Sequence, residues 1–282
     1  MTIQWFPGHM AKARREVEEK LKLVDFVMEL VDARAPLSSQ NPMLKQILQQ
    51  KTKMLLLMKK DLADPELTQK WLQFFEEEGI PALAIDVNDK QDIQKVVNLA
   101  KKLGREKMEK LIKKGVKPRA ARAMIVGIPN VGKSTLINRL ANKKIAKTGD
   151  RPGVTKQQTW IKVKKDFELL DTPGILWPKF EDEIVGYRLA AIGTIKDEIL
   201  ALEDITVFVL RYLLAHYPGL LEDRYGVDEE ETEVVHLFES IGKKRMALGS
   251  GGEVDYGKVA DLILRDLRAG RLGKITFESP EK

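Results

Sequence analysis

The stretch GIPNVGKS, residues 127–134, decides the fold class of this chain of 282 residues. It fits the phosphate-loop pattern G-x-x-x-x-G-K-[ST], with the apolar stretch RAMIVG (122–127) before it and a helical pattern from Ser134 to Ala141 after it. Glycines allow such a loop to curl, so that backbone N–H groups and the helix N-terminus face phosphate oxygens. Lys133 is expected to bridge the β- and γ-phosphates, and the Ser134 hydroxyl to bind Mg²⁺. The alternative is a glycine-rich turn without a ligand. The residues predicted to contact the nucleotide here are Asn130, Val131, Gly132, Lys133, Ser134 and Thr135.

Strand and helix patterns alternate before and after this loop. Such alternation predicts βαβ units, and therefore an α/β fold built on a parallel sheet. Buried strands are predicted at 26–34, 53–58, 81–86 and 122–127, a hairpin at 159–174 with its tip at 164–166, and helices at about 10–20, 42–50, 65–78 and 91–114. From about residue 178 the pattern is helical only, at 182–193, 203–216, 231–242 and 255–269. We therefore expect a nucleotide-binding domain at 1–177 and a small helical domain at 178–282.

A second metal-side element follows the phosphate loop. In LLDTPG (169–174), Asp171 ends an apolar run and suits Mg²⁺, while the Gly174 amide can meet a γ-phosphate. Thr155, in RPGVTKQ (151–157), is placed to cap the metal, and Thr148 is a weaker candidate for that role. A lone D-x-x-G is a weak signal, and its order and spacing after a phosphate loop give it weight.

GIPNVGKS, Thr155 and DTPG resemble the first three motifs of the translation-factor-related GTPases. Their fourth motif, Asn-Lys-x-Asp, normally comes last, but its closest match here is MKKD (58–61), which precedes the other three. That order resembles the circularly permuted GTPases. With WFPGHM (5–10) and RPGVT…LLDTPGILWP, the chain is similar over nearly its full length to the RbgA/YlqF family of ribosome-assembly GTPases. The resemblance implies a P-loop GTPase fold of permuted order, GTP hydrolysis, and action in assembly of the large (50S) ribosomal subunit.

The resemblance also implies roles for residues 58–61. Asp61 can accept hydrogen bonds from guanine N1–H and the exocyclic amine, and the Lys59 stem can lie along the base beside Lys60. Permutation is tolerable because all these loops lie at the carboxyl edge of one parallel sheet. Met58 departs from the pattern, because a thioether cannot donate hydrogen bonds as asparagine does. We expect nucleotide binding to be weaker by about 1–3 kcal/mol.

Two further assignments concern the same edge of the sheet. The fifth motif is faint, with Asp86 and Val87 of AIDVND (84–89) matching by resemblance alone. The alternative for Asp61 or Asp64 is an N-cap before Pro65, and this is the favoured interpretation of Asp64.

The hydrolytic machinery is incomplete in the sequence. Many GTPases place Gln after the D-x-x-G glycine, but Ile175 stands there and cannot orient water. Slow intrinsic turnover is therefore expected. Three substitutes remain open: His9, a monovalent cation such as K⁺ near Asn130, or a group supplied by a partner. The predicted catalytic residues are His9, Lys133 and Thr155, and the predicted metal ligands are Ser134, Thr155 and Asp171.

The charge distribution indicates a polyanionic partner. The net charge is +6, but the segment from Lys101 to Arg122 carries ten Lys/Arg against Glu106 and Glu109, a local +8. RNA contact is one interpretation. The other is a solvated helix face, because an apolar stripe at helical spacing turns the lysines outward whatever they contact; the stripe is Ile93, Val96, Val97, Ala100, Leu103, Met108, Leu111 and Ile112. GKKR (242–245) with Arg265, Arg268 and Arg271 can add a second basic face for rRNA, or be ordinary surface charge.

Composition bounds the remaining possibilities. The chain has no cysteine, which excludes disulfides and cysteine-bound metals, and its N-terminus lacks the apolar core of a signal peptide. We expect a cytoplasmic monomer without membrane contact. Two rival functions remain at this stage: a P-loop ATPase or metabolite kinase, and an RNA-binding scaffold whose nucleotide site is weakened by Met58.

Overall fold

The computed structural model describes most of the chain. The described residues are 7–48, 51–144, 160–163, 167–172, 182–195, 197, 201–229 and 233–280, with side chains from residue 14 onward. Thr155, Gly174, Ile175 and the predicted domain boundary near residue 178 lie outside these ranges.

A six-stranded sheet forms the centre of the fold, in the order β3-β2-β1-β4-β6-β5. All pairings are parallel except that of β5 with β6, which is the antiparallel hairpin predicted from the sequence. The strands are β1 (Phe26–Asp32), β2 (Lys53–Met58), β3 (Ala82–Ile85), β4 (Ala121–Gly127), β5 (Trp160–Val163) and β6 (Phe167–Asp171). The predicted α/β fold with a parallel-sheet core is confirmed.

Ten α-helices lie among the described residues. They are α1 (Pro7–Leu21), α2 (Pro42–Leu48), α3 (Pro65–Glu77), α4 (Lys90–Ile112), α5 (Lys133–Ala141), α6 (Glu183–Ala191), α7 (Leu202–His216), α8 (Leu220–Tyr225), α9 (Val234–Lys244) and α10 (Tyr256–Arg268). The short α8 was not predicted, and a 3₁₀ turn, Lys60–Leu62, also follows β2. None of the helices in the described ranges is long and apolar enough to cross a bilayer.

The strand register aligns the predicted motifs along one edge of the sheet. Asp32 pairs with Met58, Leu30 with Gly127, and Ile125 with Asp171. Each pairing lies at or near the carboxyl ends of its strands, where open α/β sheets bind ligands. The loops from 58, 85, 127 and 171 therefore leave the sheet on the same side, although the first two precede the phosphate loop in sequence.

Helix α3 settles the capping alternative. Asp64 is its N-cap, with the carboxylate accepting from the backbone N–H of Glu66 and Leu67, and Pro65 occupies the first turn. The favoured interpretation of Asp64 is confirmed. The capping alternative for Asp61 is wrong, because Asp61 lies in the preceding 3₁₀ turn.

Helix α4 packs its predicted apolar stripe inward. Val96, Val97, Ala100, Leu103 and Met108 are buried. The predicted stripe extended to Ile112, which is instead exposed because it lies at the last residue of the helix.

The C-terminal segment returns from the helices to the sheet. The backbone N–H of Ile275 donates to the Leu62 carbonyl, and that of Phe277 to the Arg34 carbonyl. The buried Glu278 carboxylate accepts from the Ser38 hydroxyl at 2.6 Å and from Arg188 at 3.0 Å. These contacts fasten the end of the chain to the loops that follow β1 and β2.

Candidate functional site

The phosphate-loop backbone has the curled form that the sequence predicted. Gly127 ends β4, and a Cβ there would lie 2.7 Å from the Leu30 carbonyl oxygen, so only glycine fits. Asn130 and Gly132 have positive φ angles of 58° and 107°, which turn the chain into α5. The loop therefore opens directly onto the N-terminus of α5, where free N–H groups and the helix dipole favour anions.

Lys133, the first residue of α5, is buried against the loop. Its Nζ donates to the carbonyl oxygens of Gly127 at 3.3 Å and Ile128 at 3.2 Å. Burial lowers the pKa of Lys133 from 10.5 to about 8, and the negative charge of Asp171 opposes that shift. A buried ammonium bonded only to neutral carbonyls among the described atoms is well suited to a phosphate partner.

The described metal-side residues are Ser134, in the first turn of α5, and Asp171, at the end of β6. Both are partly exposed, and the Asp171 charge acts on Lys133. Thr172 anchors this strand end by donating from Oγ1 to the Ile125 carbonyl at 2.7 Å. No cluster of three or more His, Asp or Glu suited to a metal occurs among the described residues. One hydroxyl and one carboxylate nonetheless fit Mg²⁺, which completes its shell with phosphate oxygens and water.

Met58 brings the two distant motifs into contact. Its side chain is buried, and its Cε lies 3.2 Å from the position of a Cβ added to Gly132. The end of β2 therefore lies against the phosphate loop at the turn that starts α5. This contact places MKKD on the nucleotide side of the sheet, as the permuted motif order requires.

The charged residues of MKKD have different surroundings. Lys59 has a left-handed backbone, with φ of 60°, and its Nζ lies 3.2 Å from Asp32 Oδ2. Lys60 forms an ion pair with the buried Asp92. Asp61 is exposed and has no hydrogen bond or ion pair with any described residue. Its carboxylate is thus available to a ligand.

Asp92 connects the fourth and fifth motif positions. Besides Lys60, its carboxylate accepts from the backbone N–H of Asp86 at 2.9 Å and from Lys95 at 3.1 Å. Burial alone would raise the pKa of Asp92, but these hydrogen bonds hold it below its ordinary value. Asp86 and the partly exposed Val87 are thereby held beside MKKD, although no contact of theirs identifies a base.

The other predicted residues of the loop differ in exposure. Val131 is buried, whereas Gly132 and Thr135 are partly exposed. Asn130 is exposed, and its Nδ2 donates to the Gly193 carbonyl, just after α6, at 3.2 Å. His9 belongs to the first turn of α1, but its side chain lies outside the described part, as do Thr148, Thr155 and Gly174 entirely.

Sequence reasoning missed Asp32, Arg34 and Asp92. All three are buried charged residues, and two contact the lysines of MKKD. Asp32 and Arg34 stand in VDAR, directly after an apolar run, a position that favours ligand or motif contacts at a parallel-sheet edge. Asp92 offered no such signal, because an acidic residue in the first helical turn is common.

The two predicted basic faces differ in whether their cations form ion pairs within the described part of the chain. Along and after α4, six residues of the +8 segment are exposed and have no ion pair with a described residue: Lys102, Arg105, Lys110, Lys113, Lys114 and Lys117. In the helical region, Arg268 is instead held internally by Asp197, at 2.7 and 2.8 Å, and by the carbonyls of Ala190 and Ala191. The expectation that Arg268 belongs to an RNA-binding face is therefore wrong. Arg265 and Arg271 also pair, with Asp261 and Asp266.

Comparison with known proteins agrees with this geometry. Residues 122–248 match the family model described as 50S ribosome-binding GTPase. The chain is 57% identical to ribosome biogenesis GTPase A of Bacillus cereus, covering 100% of this chain and 95% of the relative, and 34% identical to the probable ribosome biogenesis GTPase A of Mycoplasma pneumoniae, covering 98% and 96%. It is also similar to the crystal structure of GNP-bound YlqF from T. maritima, with 28% identity, a TM-score of 0.69, and coverage of 96% and 99% of the two chains.

Proposed function

The chain belongs to the ribosome biogenesis GTPase A family, and from this premise we propose that it is a slow GTP-dependent switch in assembly of the large ribosomal subunit, acting in the cytoplasm. It is a GTP-hydrolysing enzyme with the P-loop GTPase fold in permuted order. Family membership sets aside the rival ATPase or metabolite kinase.

The observation that carries the proposal is the contact between Met58, the last residue of β2, and the phosphate loop. Met58 meets Gly132, so the exposed Asp61, three residues on, lies near the phosphate-binding turn. A free carboxylate at that position can accept the N1–H and exocyclic amine of guanine, a donor pair that adenine lacks. We therefore assign guanine selection to Asp61, with Lys59 beside the base.

The Asp61→Asn variant tests this assignment. An amide can donate to the second carbonyl oxygen of xanthine, whereas it faces guanine with a mismatched donor. We expect GDP affinity to fall at least tenfold and XDP to bind more tightly than GDP, as measured by titration with fluorescent nucleotide analogues. Asp64→Asn is the matched control, since Asp64 caps α3 and its substitution should leave the GDP/XDP preference unchanged. Unchanged GDP affinity in Asp61→Asn would remove Asp61 from this role.

Turnover is the second part of the proposal. Lys133 and the α5 N-terminus supply positive charge to the transferred phosphoryl group. Ser134 and Asp171 are the residues that would hold Mg²⁺, which would add to that charge neutralisation. Thr155 is the proposed cap on the metal, and Gly174 the proposed γ-phosphate amide. With Ile175 in place of glutamine, we expect an intrinsic rate that rises when ribosomal subunits or K⁺ are added. Asn130 Oδ1 accepts no hydrogen bond from the described residues, which supports it as a K⁺ ligand.

A GTPase assay in KCl and in NaCl, with and without isolated large or small subunits, tests this part. If large subunits stimulate GTP hydrolysis and small subunits do not, the result supports the proposed switch. If neither subunit stimulates hydrolysis, the result contradicts it. His9→Ala is expected to lower kcat with little change in GTP affinity. A parallel loss of both would assign His9 a structural role.

The exposed lysines of α4 are the proposed rRNA contact. None of these six side chains has an ion pair with a described residue, so they can attract phosphate groups and release counterions on binding. Lys102, Arg105 and Lys110 lie on the side of α4 opposite the buried stripe, together with Glu106 and Glu109, and Lys113, Lys114 and Lys117 follow the end of the helix, so this surface has a net positive charge. The helical region contributes less, because Arg268 is held by Asp197 and the exposed Arg265 and Arg271 are each paired with a carboxylate.

Charge removal tests this surface. Lys110→Ala, Lys113→Ala and Lys114→Ala together should weaken subunit or rRNA binding and reduce the slope of log K against log salt by about two. Lys22→Ala, Lys45→Ala and Lys274→Ala remove the same charge from exposed positions outside both basic faces and should have a smaller effect. Equal losses in both triple variants would show general electrostatic attraction only.

A further inference from the structure

The buried carboxylate of Asp32 lies between two cations at the end of β1. Asp32 is 1% exposed, and Lys59 Nζ lies 3.2 Å from its Oδ2. Arg34 donates to the same carboxylate from Nε at 2.9 Å and from Nη2 at 2.8 Å. The Arg34 backbone N–H adds a bond to Oδ1 at 3.0 Å. One carboxylate is thus saturated by a fixed arginine and by a lysine of the base-side loop.

Lys59 needs such a partner because of its backbone. A left-handed conformation costs a non-glycine residue free energy unless contacts hold it. The 3₁₀ turn that carries Asp61 starts at the next residue, so the geometry of Lys59 sets the direction of Asp61. Met58, on the other side, offers only an apolar side-chain contact near Gly132, while its backbone carbonyl accepts from the Ala33 N–H at 2.8 Å. Among the described contacts, the Asp32 ion pair is the one polar side-chain tie of Lys59.

Arg34 anchors this arrangement to the helical region. Its Nη2 also donates to the Ile192 carbonyl at 3.1 Å, and the next carbonyl, that of Gly193, accepts from Asn130 of the phosphate loop. The Arg34 carbonyl accepts from Phe277 N–H at 2.7 Å. The end of α6 therefore receives one hydrogen bond from the base side and one from the phosphate side of the site.

We propose that Asp32 is a positioning residue for guanine nucleotide recognition, which holds Lys59 and thereby Asp61 in place while Arg34 fixes Asp32 against the end of α6. This inference rests on the proposed base-reading role of residues 59–61 and extends it to a buried pair, Asp32 and Arg34, outside the five motifs. Its consequence is that substitution of Asp32 weakens nucleotide binding without affecting the chemical step.

The test is Asp32→Asn in the full chain, measured by GDP titration and steady-state GTP hydrolysis. We expect the GDP Kd and the GTP KM to rise about tenfold and kcat to change less than twofold. In a Lys59→Met background the same substitution should change the Kd less than twofold, because a residue that acts through Lys59 has no effect once Lys59 is removed. Asp25→Asn is the matched control, since Asp25 is also buried and paired with an arginine, Arg119, but at the opposite end of β1.

Folding is checked by thermal denaturation of every variant. If Asp32→Asn is unfolded because Arg34 is left unpaired, Asp32→Asn with Arg34→Gln removes both buried charges and must show the same rise in Kd. A folded variant with unchanged Kd and KM overturns the proposal, and so does an equal loss in Asp25→Asn or full additivity with Lys59→Met. If Asp61→Asn also leaves GDP affinity unchanged, the base-reading function itself fails; if only Asp61→Asn has an effect, this inference alone fails.

Discussion

Replacing Met58 by asparagine restores the residue that the fourth motif normally has, and it should move stability and nucleotide affinity in opposite directions. The Met58 side chain is 1% exposed, and burial of a methionine stabilises a fold by about 1.5–3 kcal/mol. An asparagine there loses most of that energy and, without nucleotide, leaves a buried amide short of partners at a cost of about 1–3 kcal/mol. We expect the nucleotide-free variant to be less stable by about 2–6 kcal/mol, which lowers Tm by about 4–24 °C.

Nucleotide binding reverses part of this loss. Because Met58 ends against Gly132, an amide at position 58 lies where it can donate to the phosphate loop and the base. One such hydrogen bond is worth about 1–1.5 kcal/mol, or about a tenfold decrease in the GDP Kd. Isothermal titration gives the Kd, and thermal denaturation with and without GDP gives the two stabilities.

Met58→Leu is the matched control, because it keeps an apolar side chain of similar volume and should change the Kd less than twofold. A folded Met58→Asn protein that binds GDP no more tightly than the parent would refute the reasoning, since the loop after β2 would then not contribute to the nucleotide site.

Three further predictions follow from buried or crowded positions. Because the pKa of Lys133 is lowered to about 8 in the folded chain, its charged form costs stability at neutral pH, and that cost disappears as pH rises from about 8 towards 10.5. The phosphates of GDP should restore the charge of Lys133. GDP binding should therefore take up about 0.9 proton at pH 9 and under about 0.1 below pH 7, as measured by titration calorimetry in buffers of different ionisation enthalpy. Glu278→Gln leaves the partly buried Arg188 without its counter-charge and should cost about 3 kcal/mol, or about 6–12 °C in Tm. Gly104→Ala should destabilise by about 1–2 kcal/mol by chemical denaturation despite better helix propensity, because the added Cβ would lie 2.7 Å from the Ala121 Cβ.

Each of these predictions has its own control. Proton uptake that does not change between pH 7 and pH 9 contradicts the lowered pKa of Lys133. Glu106→Gln removes an exposed carboxylate on α4 and should leave Tm within about 2 °C of the parent. If Glu278→Gln lowers Tm by no more than Glu106→Gln does, the contacts of Glu278 contribute little to stability. Adding Ala121→Gly to Gly104→Ala removes the close approach, and failure of this pair to recover stability relative to Ala121→Gly alone excludes crowding as the cause.

The local elements followed from local rules. Continuous apolar runs predicted the strands, and Asp64 before Pro65 predicted the start of α3, because strand burial and helix capping depend on residues close together in the sequence. Motif order with a P-loop pattern predicted the permuted GTPase fold, since a site needs its loops at one sheet edge and does not depend on their order along the chain. The inward-facing apolar stripe of α4 was predictable from its helical spacing, apart from Ile112, which is exposed at the last residue of the helix.

The pairing of charges was decided by the tertiary structure alone. Asp32 with Lys59, Asp92 with Lys60, and Arg268 with Asp197 join residues between 27 and 71 positions apart. Nothing in the sequence distinguishes an arginine that faces RNA from one that, like Arg268, donates to the carbonyls at the end of a neighbouring helix, because both occur at the same helical spacing. The partner of a charged side chain depends on which backbone lies within about 4 Å after the sheet and helices have packed, and that distance is a property of the whole fold.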